Sequence, residues 1–202
     1  MTNMNLYQKL SLLYIKNIIY YILKYKVSGG LDMELNELFK VQEIMENHIK
    51  KLSNIDEEIK GKENLFDLKF LALQVKTGEI ANTTKCYKYY KVKKIISKEK
   101  LLIRYIDALK FLLSIGNDHN FNIINEEVID KSKYEDNIIK LFSYIYDDIT
   151  DLKKSAKKDD YFHALNTYVR LFTRYLNLAE LIGLNFSEIY SYYMENIAIE
   201  LE

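Results

Sequence analysis

Leu71-Ala-Leu-Gln-Val-Lys-Thr-Gly-Glu-Ile-Ala-Asn82 and Arg104-Tyr-Ile-Asp-Ala-Leu-Lys-Phe-Leu-Leu-Ser-Ile-Gly116 carry the same device, a base followed three residues later by an acid. In the first the pair is Lys76 and Glu79; in the second it is Arg104 and Asp107. Residues three apart share a helix face, so each stretch offers one cation and one anion to the same neighbour. Two such helices packed side by side form a neutral cluster of four charges that can pair across the contact, where four carboxylates would repel one another.

Composition agrees with helices. The 202 residues include no proline and six glycines, with Leu, Ile, Lys and Glu in abundance. An all-α chain with short connections is therefore expected, and its length suffices for one large domain with a substantial core. Twenty-nine basic residues balance 29 acidic ones, which argues against a whole-chain field for nucleic acid or an anionic membrane. The single Cys86 excludes an internal disulfide framework, and the N-terminus does not read as a cleavable leader, so a cytoplasmic protein is expected.

Working outward, helices are expected near 33–51, 65–83 and 98–115, the last closed by Gly116. A fourth is expected after Ser132, where Ser132-Lys-Tyr-Glu135 has capping-box spacing, running to about Thr150. A fifth, near 158–182, shows Leu165, Tyr168, Val169, Phe172, Leu176 and Ala179 at helical spacing with Gly183 as the stop. Asn185-Phe-Ser-Glu188 can cap a sixth. Before all of these, residues 5–26 form a strongly apolar helical pattern holding four lysines and no acids, ended by Gly29-Gly30. Lys9 and Lys16 interrupt it too early for a membrane span. It reads as an extra helix covered by the bundle or by a second subunit, ahead of a partner-binding arm or a membrane-surface helix.

Several blocks in order give the chain a family resemblance. Leu35-Asn-Glu-Leu-Phe-Lys-Val-Gln-Glu-Ile-Met-Glu-Asn-His-Ile49, the two stretches above, Lys85-Cys-Tyr-Lys-Tyr-Tyr90 and Tyr175-Leu-Asn-Leu-Ala-Glu-Leu-Ile-Gly-Leu-Asn-Phe-Ser-Glu-Ile189 together resemble the dimeric, all-α dUTPases of the MazG-like nucleotide pyrophosphohydrolases. The resemblance implies a MazG-like bundle of about six helices over 31–202, with the N-terminal helix of 1–30 outside it. It also implies a homodimer, a uracil nucleotide as ligand, and hydrolysis of dUTP to dUMP and pyrophosphate on Mg²⁺ held by four carboxylates. Glu79 and Asp107 match two of those ligands, whereas Lys76 and Arg104 stand at the other two. A protonated amine and a guanidinium cannot ligate Mg²⁺.

The expectation is accordingly a degenerate metal site, no cofactor, and a nucleotide-binding or protein-interaction role, with a Mg²⁺-dependent dUTP diphosphatase as the alternative. Three roles stay open for the tetrads: a salt-bridge network joining two helices, a metal-free pocket in which Lys76, Lys88 and Arg104 meet a phosphorylated ligand, or surviving metal catalysis. By resemblance Gln42 matches a glutamine that helps read the uracil edge, and Lys88 is retained. Asn196 is a candidate for the family's phosphate-binding asparagine, although the companion lysine is missing. Thr83, Lys110 and Tyr90 replace an acid, a histidine and a tryptophan common in the family. Seven lysines against one acid between Lys85 and Lys100, among tyrosines, read as a solvated connection before a single-strand nucleic-acid platform. His48, His119, His163 and Cys86 show no metal-ligand spacing.

Overall fold

The computed structural model describes residues 31–53, 61–89, 96–129 and 134–200. Segment 5–26, Gly29-Gly30, Tyr90 and Ser132 lie outside these. Among the described residues six α-helices appear in chain order: α1 (Leu31–Ser53), α2 (Lys62–Thr84), α3 (Lys98–Asp118), α4 (Ile138–Lys157), α5 (Tyr161–Leu181) and α6 (Phe186–Glu200). A 3-10 turn, Glu126–Val128, lies between α3 and α4, and no strand occurs among the described residues. The all-α expectation holds.

The side-chain contacts give the helix directions. Lys69 meets Asp118 while Lys76 meets Asp107, so α2 runs against α3. Tyr168 bonds Leu112 while Tyr105 bonds Tyr175, so α3 runs against α5. Glu63 pairs with Lys157 and Asp67 with Lys153, so α2 also runs against α4. Helices α2, α3, α5 and α4 thus make an antiparallel four-helix bundle, the arrangement that short connections favour. Helix α1 flanks α3 through Asn117 and Phe39, and α6 lies along α1 through Tyr190 and Glu37.

Tyrosines are structural in this core. Tyr105, Tyr168, Tyr175 and Tyr193 are among the largest fully buried side chains. A buried phenol needs a partner for its hydroxyl. Tyr105 donates to the Tyr175 carbonyl at 2.9 Å, Tyr168 to that of Leu112 at 3.0 Å, and Tyr193 to Gln42 Oε1. Burial pushes the Tyr105 and Tyr168 hydroxyls well above their ordinary pKa.

Helix α4 runs on to Lys157, past the expected end near Thr150, because Leu152 and Ser155 still face the core. Two further boundaries differ from the sequence expectation, each for a packing reason. Gly116 does not close α3, which continues to Asp118. An added Cβ there would come within 2.3 Å of the Tyr168 hydroxyl and 2.8 Å of the Phe39 ring, so the glycine admits neighbours instead of ending a helix. Helix α4 starts at Ile138 and not after Ser132: the Glu135 N–H is held by the buried Asn177 side chain at 2.8 Å, and Asn137 caps the Ile139 and Lys140 N–H groups. The caps after Leu181 do follow the sequence. Gly183 takes φ 79° while Leu184 N–H bonds Ala179 O and Gly183 N–H bonds Glu180 O, a Schellman closure. Asn185 and Glu188 then cap each other's backbone N–H at 2.8 and 3.2 Å.

Candidate functional site

The middle of each tetrad is an anchor. Thr77, wholly buried, bonds the Tyr175 hydroxyl, and Tyr105 donates to the carbonyl of that same residue. One residue of α5 therefore holds both helices at the level of their charged pairs. Gly78 lets the Tyr146 hydroxyl lie against α2, where it donates to Gln74 O at 3.1 Å. With Thr77 and Tyr105 turned inward, Lys76, Glu79, Arg104 and Asp107 turn together toward the α2–α3 surface.

There the four charges close a ring. Lys76 Nζ lies 3.3 Å from Glu79 Oε2 and 3.2 Å from Asp107 Oδ2. Arg104 completes it, with one terminal nitrogen 2.9 Å from Glu79 Oε2 and 3.6 Å from Asp107 Oδ2. Each carboxylate thus touches both cations, within its own helix and across to the other. The side chains keep 27 to 36 % of their surface, so water screens the ring only in part. Burial works against the Lys76 ammonium, but the hydrogen bond and charge of Asp107, then of Glu79, outweigh it and raise its pKa.

Mg²⁺ takes near-octahedral oxygen donors, and its charge is what lets several carboxylates crowd together. This ring supplies two carboxylates and fills the space between them with two fixed positive groups, so the donor set does not fit the ion. Among the described residues no three His, Cys, Asp or Glu side chains gather as a metal cluster elsewhere.

A family model described as dUTPase matches residues 34–201. The chain belongs to the all-α, dimeric dUTPase family. No curated protein and no solved structure gives a match. Within this dUTPase-family chain the other sequence candidates are dispersed. Gln42 sits half-buried where α1 meets α6, its Oε1 taken by Tyr193. Lys88 is half-buried in the turn after α2, its N–H on Lys85 O. Asn196 donates back to Tyr192 O on its own helix at 2.8 Å. Thr83 likewise folds onto Glu79 O, and Lys110 lies half-buried on α3. No described helix is long and apolar enough to cross a membrane.

The sequence reading missed two polar clusters. Asp148 on α4, its side chain 3 % exposed, is gripped by Arg170 Nε at 2.8 Å and by Arg174, which also donates to Tyr144 O and lies over the Tyr144 ring. Burial lifts the Asp148 carboxyl above its usual range against the pull of both guanidiniums. Beside it, Asp151 meets His163 at 3.0 Å, and that hydrogen bond holds its carboxyl below the usual range. At the other end Glu46 of α1 binds Lys69 of α2 and Ser114 of α3. These partners lie 12 or more residues apart and share no local motif. Arg170 and Arg174, one turn apart on α5 beside Thr167 and Thr173, were the available signal.

Proposed function

We propose that this dUTPase-family chain binds a uracil nucleotide or a regulatory protein partner without hydrolysing dUTP on Mg²⁺, and acts as a cytoplasmic homodimer. The observation that carries the reading is the closed ring, in which Glu79 and Asp107 each contact both Lys76 and Arg104. A dication entering between the carboxylates would meet the two cations at roughly 4 Å, a repulsion of about 4 kcal/mol from each cation per unit of ion charge at an effective dielectric near 20. Binding suffers less. Lys76 and Arg104 bring fixed positive charge to the place where the family's metal meets phosphate, and Gln42 and Lys88 keep the family's residue types.

The test is calorimetric. Titration of the full chain with Mn²⁺ or Mg²⁺ is expected to give no saturable heat, whereas Lys76→Glu with Arg104→Glu gains a site. A non-hydrolysable dUTP analogue is expected to bind the parent equally with and without EDTA. Binding that EDTA abolishes would assign the site to metal-dependent chemistry and favour the alternative, an active dUTP diphosphatase. No binding of the analogue under either condition would leave the protein-partner form of the reading.

A further inference from the structure

Helix α2 buries one face and leaves another uncovered. Phe70, Leu73, Thr77 and Ile80 enter the core. Leu68, Leu71 and Val75 are 43, 61 and 51 % exposed. Their spacing puts them in one row, with half-buried Ala72 beside them. Single exposed apolar side chains are ordinary, but a row of three is a surface that expects cover. Val75 also adjoins Lys76, and Glu79 continues the row one turn on, so whatever covers the stripe walls one side of the charged ring.

We propose that the occupant is the chain's own segment 5–26. The described chain begins at Leu31, and Phe39 of α1 already bonds Asn117 near the end of α3. Leu31, two turns earlier, therefore lies about 12 Å further toward the end of the bundle at which α2 starts. That end of α2 is fixed there by the Lys69–Asp118 pair and the Phe66–His119 ring contact. Four residues, Val27-Ser-Gly-Gly30, join segment 5–26 to this point in the sequence, and glycine permits the backbone conformations that a chain reversal needs. As a helix its 22 residues would reach about 33 Å, against about 15 Å from Leu65 to Val75.

The segment lies outside the family match, which begins at residue 34, so its cover of α2 is a property of this chain and stands apart from the nucleotide reading.

Cysteine accessibility in the full chain tests this. In a Cys86→Ser background, Leu71→Cys is compared with Ile139→Cys, a position 58 % exposed at the start of α4. Maleimide is expected to modify position 71 at least tenfold more slowly than position 139. Ile15→Lys with Ile19→Lys is expected to bring the two rates together at unchanged oligomeric mass. Equal rates without those changes overturn the proposal, as does a slow rate at position 71 that they leave unaltered. If that slow rate rises on dilution as the mass halves, the stripe belongs to a second copy. Because the lysine changes could impair folding, a photo-crosslinking residue at Leu71 gives a second reading: an intramolecular link to a peptide within 5–26 is expected, and a link between two chains contradicts it.

Discussion

Asp148 and Arg104 make the same kind of contact in different surroundings, and their substitutions are expected to differ in cost. The Asp148 side chain is 3 % exposed and accepts charge-assisted hydrogen bonds from Arg170 and Arg174, which keep 45 and 23 % of their own surface, so Asp148→Ala is expected to lower unfolding free energy by about 2–3 kcal/mol. The Arg104 side chain is 36 % exposed, where screening keeps ion pairs weak, so Arg104→Ala is expected to cost about 1 kcal/mol or less. Urea denaturation of both variants measures the contrast; equal losses would contradict the exposure argument. The pH dependence of Lys76 has a definite sign. Its pKa is raised above 10.5, so its stabilising contribution is complete below that value and is lost as pH climbs through the higher folded pKa. The melting-temperature difference between parent and Lys76→Met is expected to be flat from pH 7 to 9 and to shrink above about 10.5. A difference that grows in that range would contradict the ring.

At the level of single helices, the glycines and caps separate what a sequence announces from what packing decides. Gly183 and the Asn185–Glu188 box were legible because their partners lie within a few residues, and Asn185→Ala is expected to cost about 1 kcal/mol by thermal or urea unfolding. Gly116 was misread because its reason, the Tyr168 hydroxyl and the Phe39 ring, is supplied by residues 52 and 77 positions away. Gly116→Ala is expected to destabilise by about 1–3 kcal/mol despite the helix-propensity gain. Gly78→Ala, which meets the movable end of Tyr146 at 3.0 Å, is expected to be close to neutral. If the two substitutions prove alike, steric closeness is not what places these glycines. The start of α4 escaped for a similar reason, since the Asn177 side chain that keeps Glu135 out of the helix arrives from α5.

Across the whole molecule, helix content and the order of the blocks were readable because both are written in local spacing and composition. The convergence of Lys76, Glu79, Arg104 and Asp107 was readable too, since a base and an acid three apart on two neighbouring helices leave few other ways to pair. What holds them there was not: Tyr175 lies 98 residues from Thr77 and 70 from Tyr105, yet binds both. The Asp148 and Glu46 clusters were likewise hidden, being assembled from separate helices. The central claim is that two fixed cations have replaced the ligands a metal would need. Pyrophosphate release from dUTP with excess Mg²⁺, measured against enzyme concentration and again with EDTA, tests it most directly. No release above the uncatalysed background is expected at any concentration; release that scales with the protein and disappears with EDTA would contradict the account.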